Sequence, residues 1–234
     1  MHTIKSIESW DATLLLTLNA HHTDWMDRFM WLMSQTAVWI PFFALFLFLL
    51  FRNQKGNALI VLLFLALLVL CTDQVASGIF KPLVARFRPT HTPGLEEHVH
   101  LVNGYRGGHY GFFSSHAANV FGFAVLSLLL VRRTVYTLTI IAWASLVSFS
   151  RIYLGVHFPL DVATGVLFGV LAGVGFYYLY LVFTKKPVRK RGKFNQKRSR
   201  KSEGILSESH ALWLSFGLLF TVANALIAAH SLCW

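Results

Sequence analysis

The sequence predicts an all-α protein, a polytopic membrane bundle of about six transmembrane helices. Three observations predict it. Hydrophobic residues make up 55% of the chain and charged residues only 13%, a balance foreign to a soluble domain of 234 residues. Six apolar stretches approach or exceed the length of about 20 helical residues that a bilayer requires. The basic clusters between them fall on one side under strict alternation, as membrane topology demands.

Residues 1–29 read as an amphipathic N-terminal segment. Ile4, Ile7, Trp10, Leu14, Leu15 and Leu18 recur at helical spacing against Lys5, Glu8, Asp11 and Asn19. That is the pattern of a helix lying on a membrane surface or packed against a bundle. The first 20 residues lack a basic start followed by an unbroken apolar core, so no cleavable leader is expected. A membrane core is expected over 30–183, with spans near 30–51, 58–80, 115–131, 135–152 and 159–183. A basic loop fills 184–210, and a sixth span lies in 211–234, apolar over 211–232. Cys71 and Cys233 read as unpaired thiols.

The formal charge of +11 suggests nucleic acid until it is located. Ten of the 21 Lys and Arg residues fall in 185–201, between two apolar spans. They read as a loop on the cytoplasmic side, with anionic lipid headgroups as an additional contact. Few aromatics are interleaved to stack on bases, so no nucleic-acid partner is expected. Arg52 with Lys55, and Arg132 with Arg133, fall on the same side as this loop. The ends of the spans that carry the other polar residues then face away from the cytoplasm, as in the inner membrane of a bacterium.

Three polar islands share that outer face. One is Lys81 with Arg88-Pro89, a second is Ser114-Ser115-His116, and the third runs from Ser150-Arg151 through His157 to Asp161. Charges close to hydrocarbon are costly and tend to be functional. Spans three and five both begin at this face, so two helix N-termini point at one region, a ready anion site. Pro159 suits the first turn of span five, and Ser114 or Ser115 suits the cap of span three. The long loop between Lys81 and Ser114 carries five glycines and is placed to cover the site. Within it, Glu96, Glu97, His98 and His100 read as a solvated stretch rather than a metal site, and His91 and His109 as headgroup contacts. Asp73, inside span two, is placed to support the cations or to remain hydrated.

Taken together, Lys81-(six residues)-Arg88-Pro89, Ser114-Ser115-His116, and Ser150-Arg151-(five residues)-His157-(three residues)-Asp161 resemble the three-part signature of the type 2 phosphatidic acid phosphatases. The middle part departs from the family pattern. Where the family has Pro-Ser-Gly-His, this chain has Phe113-Ser114-Ser115-His116, and serine must present its N–H in place of the glycine.

The resemblance implies an integral-membrane lipid phosphatase, and the residue chemistry agrees. His157 is expected to attack phosphorus and form a phosphohistidine, with Asp161 accepting a hydrogen bond from its other ring nitrogen. His116 is expected to protonate the leaving oxygen and then to activate water. Lys81, Arg88 and Arg151 would hold phosphoryl oxygens, with Ser114 and the N–H groups at Ser115 and His116 as further donors. These cations do the neutralising that Mg²⁺ does in other phosphoryl transfers, so neither metal nor other cofactor is expected.

The expected partners are the bilayer and a lipid phosphate, with the oligomeric state left open. Undecaprenyl diphosphate is the substrate first expected. Lipid A 1-phosphate, phosphatidylglycerol phosphate and phosphatidic acid share the phosphoryl group that the motifs would bind. A non-enzymatic lipid-binding protein of the same fold would have no use for a nucleophile, its orienter and a separate acid. A vanadate-dependent haloperoxidase-like enzyme is disfavoured by six spans and a site at membrane level.

Overall fold

A computed structural model of the chain describes residues 2–54, 56–184 and 204–231. The basic run expected at 185–201 lies outside the described residues. Those described form nine α-helices and no β-strand. Five helical segments are long and apolar enough to cross a membrane: Thr36–Asn53, Ala58–Val84, Thr134–Tyr153, Pro159–Thr184 and Glu208–Ser231. The apolar helix Ser115–Val131 is shorter. Leu167, Leu171, Phe183, Phe216 and Phe220 are each more than half exposed on the outer surface, which suits contact with lipid chains.

The N-terminal segment forms two helices. α1 (His2–Ala20) packs against the helices Thr134–Tyr153 and Pro159–Thr184, and α2 (Asp24–Ser34) is capped by Thr23, whose hydroxyl accepts from Met26 N at 3.2 Å. Asp24 and Asp27 in the first turn suit its positive end. Residues 30–34, expected to open the first span, belong to α2 instead. The chain turns extended at Gln35, and the span starts afresh at Thr36, leading into α3 (Ile40–Asn53) with Pro41 in its first turn.

The second span is longer than expected. α4 (Ala58–Asp73) continues through a π-helical stretch, Gln74–Phe80, into the short α5 (Lys81–Val84). Ala85 then stops it in the left-handed conformation. α6 (Ser115–Val131), α7 (Thr134–Tyr153), α8 (Pro159–Thr184) and α9 (Glu208–Ser231) complete the bundle. An aromatic cluster of Trp39, Phe42, Phe123 and Trp143 joins α3, α6 and α7, with Trp39 and Trp143 packed edge to face at 5.5 Å.

The closest helix pair is α6 and α8, and a glycine stripe explains it. A Cβ on Gly165 would lie 2.5 Å from Ser114 O, and one on Gly169 would lie 2.4 Å from Ala118 O. Gly173 repeats the arrangement one turn on, with Gly122 O at 2.9 Å. Small residues at four-residue spacing let two backbones touch within a bilayer. The contact brings the first turn of α6 against the first turn of α8, where Ser114 N donates to Asp161 O at 3.0 Å.

Candidate active site

The three polar islands converge at this junction. Ser114 caps α6, its hydroxyl accepting from Ala117 N at 3.4 Å. Lys81 reaches across from α5, its Nζ donating to Ser115 Oγ at 3.2 Å and to Ser77 Oγ at 3.0 Å. Arg88 is buried: Nε donates to Tyr110 O at 3.2 Å and Nη1 to Val156 O at 3.0 Å. The same Nη1 lies 3.0 Å from Nε2 of His157. Arg151, also buried, donates through Nη1 to Ser34 Oγ, lies 5.7 Å from the Tyr105 ring centre and has no hydrogen-bond partner for Nε among the described residues.

The glycine-rich loop wraps these groups rather than lying over them loosely. Gly107 has a positive φ of 68°, and a Cβ there would lie 3.0 Å from Arg88 Nη1. A Cβ on Gly111 would lie 3.0 Å from Asp161 Oδ2.

His157 sits in the turn between α7 and α8 and is 1% exposed. Burial pushes its pKa well below that of an ordinary imidazole, with Arg88, Arg151, Lys81 and His116 adding to the effect in that order. The ring is therefore neutral at neutral pH, with Nε2 unprotonated toward Arg88 and the proton on Nδ1. Burial, and after it the charge of Arg151, lowers Arg88 to about 10, which leaves the guanidinium charged.

Asp161 stands apart from the expected arrangement. Its Oδ2 lies 3.6 Å from His157 Nδ1, too long for a hydrogen bond, and Nδ1 has no other partner among the described residues. The carboxylate is engaged elsewhere. Oδ1 accepts from Arg86 Nη1 at 2.7 Å, and Oδ2 accepts from Phe158 N at 3.1 Å. Burial and the surrounding cations dominate the proton affinity of His157.

Arg86 and its second partner, Asp11, were not anticipated. Arg86 lies two residues before Arg88, and its guanidinium bridges two carboxylates: Asp161 through Nη1 and Asp11 through Nη2, each at 2.7 Å. The guanidinium also lies 4.2 Å from the Phe158 ring centre. Asp11 has no exposure, and its Oδ1 accepts from Leu160 N at 3.0 Å, covering a free N–H in the first turn of α8. The available signal was the four-residue spacing of Asp11, Leu15 and Asn19, all buried, while Ile7 and Trp10 are about half exposed.

A cavity of about 310 Å³ opens beside His116. Trp39, Phe43, Val69, Phe123 and Trp143 supply its apolar walls, with Ser34 and Asn119 among its polar members. An apolar space next to the expected proton donor suits the lipid side of a scissile bond. Of the loop residues expected to be solvated, Glu96 pairs with Arg106 at 3.1 Å and His100 with Asp27 at 2.7 Å; His91 and His109, expected as headgroup contacts, pack against each other with ring centres 4.7 Å apart and planes tilted by 55°.

Comparison with known proteins identifies the family and the fold. The family model of the PAP2 superfamily matches residues 58–185. The lipid A 4'-phosphatase of Porphyromonas gingivalis is 40% identical over 172 residues, 73% of each chain. That of Bacteroides thetaiotaomicron is 35% identical over 178 residues, 75% of this chain and 79% of its own. An undecaprenyl-diphosphatase of Sulfolobus acidocaldarius is 36% identical over 132 residues, 56% of this chain and 58% of its own. Among solved structures, a transmembrane PAP2 type phosphatidylglycerolphosphate phosphatase from Bacillus subtilis shares the fold. Its TM-score is 0.56 at 23% identity, covering 80% of this chain and 90% of the other.

Proposed function

The chain belongs to the PAP2 superfamily and is a lipid phosphatase of that type; from this we propose that it removes a phosphate ester from a lipid of the lipid A kind, through a phosphohistidine on His157. The observation that carries the chemistry is the 3.0 Å approach of a buried, charged Arg88 to the lone pair of a neutral His157. A phosphoryl group entering between them meets a nucleophile on one side and a cation on the other.

In the first step the Nε2 lone pair forms the N–P bond as the ester P–O bond breaks. The leaving oxygen takes its proton from His116, on the side of the apolar cavity. Nδ1 keeps its proton and becomes half of an imidazolium, which draws it from 3.6 Å onto Asp161 Oδ2. In the second step water attacks phosphorus, His116 takes the proton back, the N–P bond breaks and inorganic phosphate leaves. Lys81, Arg88 and Arg151 hold the phosphoryl oxygens throughout, and the N–H groups at the start of α6 add donors.

The two lipid A 4'-phosphatases support a phosphate borne on a saccharolipid over the undecaprenyl diphosphate first expected, because they match the larger share of this chain. Undecaprenyl diphosphate stays as a second reading, favoured by the Sulfolobus relative. We read the site as facing away from the cytoplasm, and the distribution of basic residues supports that reading. Arg52, Arg132 and Arg133 lie at the far ends of α3, α6 and α7 from it, where cytoplasmic cations are expected.

The test is phosphate release by the purified protein from lipid A, undecaprenyl diphosphate, phosphatidylglycerol phosphate and phosphatidic acid, with and without EDTA. Mass spectrometry of the lipid A product locates the phosphate that was removed. Preferred loss from the 4' position, unaffected by the chelator, is expected. Turnover of undecaprenyl diphosphate alone would replace the first reading with the second. No release that depends on His157 from any of them would overturn both.

A further inference from the structure

On the same end of the bundle, apart from the phosphate site, three side chains from two segments converge. His22 and Asp27 come from the α1–α2 turn and the first turn of α2, and His100 comes from the glycine-rich loop. One ligand atom from each lies within 4.8 Å of the other two. His100 Nε2 is 2.7 Å from Asp27 Oδ2. The rings of His22 and His100 stack with centres 3.6 Å apart and planes 3° from parallel.

These groups are held from behind. Asn19 is buried and grips both backbone groups of His100: its Nδ2 donates to His100 O at 3.1 Å, and its Oδ1 accepts from His100 N at 2.7 Å. The Tyr153 hydroxyl donates to Asp27 Oδ1 at 2.6 Å, leaving Oδ2 to face the histidines. A carboxylate oriented by an outer hydrogen bond, with an imidazole fixed through its own backbone, is how proteins prepare ligands for a metal. His22, exposed on the turn, is free to close the set.

We propose that His22, Asp27 and His100 bind a divalent transition-metal ion of the zinc class, clasping the glycine-rich loop to the N-terminal helices. Two imidazoles and one carboxylate with a water are a donor set that suits tetrahedral Zn²⁺, with metal–ligand bonds of about 2.0–2.2 Å. The carboxylate of Asp27 favours a cation at this point as well. The site shares no residue with the phosphate-binding set. The same loop carries Tyr105 to Arg151 and Gly107 to Arg88 further along.

The experiment uses the purified full-length protein, free of any polyhistidine tag, dialysed against buffered micromolar Zn²⁺, with bound zinc counted by elemental analysis. The wild type should retain one equivalent per chain. His22→Ala and His100→Ala should each lose it, and His98→Ala, two residues outside the cluster, should keep it. Tyr153→Phe, which removes the donor to Asp27, should weaken retention by about tenfold. Because His22 is exposed, His22→Ala tests the site without disturbing the core. Hydrogen exchange across residues 98–106 should slow with Zn²⁺ in the wild type and not in His22→Ala. A wild type that retains no zinc, or a His22→Ala variant that retains as much as the wild type, would overturn the proposal.

Discussion

Asp11→Ala asks whether the N-terminal helix is part of the catalytic machinery. Asp11 has no exposure and holds two donors, Arg86 Nη2 at 2.7 Å and Leu160 N at 3.0 Å. Removing one partner of a buried ion pair costs about 3–5 kcal/mol when the charge left behind is stranded. Arg86 keeps Asp161 and is 20% exposed, so the smaller scale of a charged hydrogen bond, about 1.5–3 kcal/mol, applies to stability. The effect on rate travels through Asp161. A guanidinium released on one side no longer fixes the carboxylate against His157, and a misplacement of about 1 Å costs about 100-fold. We therefore expect kcat on the preferred lipid to fall by about 10- to 100-fold, or about 1.4–2.7 kcal/mol of barrier. KM should change by less than about threefold, because the phosphate-binding cations remain. The decisive measurement repeats the substitution in an Asp161→Asn background. If Asp11 acts through Asp161, its effect there should shrink to less than about threefold. An undiminished loss in that background, or an unchanged kcat in the single variant, would refute the reasoning.

Four further outcomes are expected. His157→Ala should abolish phosphate release in a folded protein, whereas Asp161→Asn should retain a measurable fraction, as single-turnover assays of both would reveal. The acid limb of kcat/KM should lie below about pH 6.5, since burial and the nearby cations hold His157 below the ordinary imidazole value and activity is lost only when Nε2 takes a proton. Arg88→Gln removes one of those cations, so whatever activity remains should show that limb moved to higher pH; a shift downward would count against the assigned electrostatics. Gly169→Ala should lower the unfolding midpoint, because the added methyl would stand 2.4 Å from Ala118 O and overpacking costs about 1–3 kcal/mol.

The spans and the three motifs were legible because each has a local signature. An apolar run records burial in lipid whatever its neighbours are, and Lys81, Arg88, Arg151, His157 and Asp161 stand out as charge beside hydrocarbon. Two kinds of feature lacked such a signature. The break at Gln35 and the π-helical passage from Gln74 to Phe80 are changes of backbone register inside helix-forming sequence. The glycines at 165, 169 and 173 gain meaning only once α6 is known to lie against them, although their spacing was visible all along.

Asp11 and Arg86 were obscured for a different reason. In water an amphipathic helix turns its apolar face inward, and on that logic Asp11 belongs to the solvated side. Around this site the logic reverses. The surroundings of the bundle are apolar, so Ile7 and Trp10 can face outward at little cost, while Asp11 and Asn19 must find polar partners within the protein. Asp11 finds Arg86 and the start of α8, and Asn19 finds His100 and the carbonyl of Tyr153. The polar face of α1 thus lies against both the turn that carries His157 and the loop that wraps Arg88 and Arg151. A polar stripe on a terminal helix of a membrane protein is therefore best treated as a candidate wall of the active site. In this chain it supplies the carboxylate that steadies Arg86, which in turn holds Asp161 within 3.6 Å of His157.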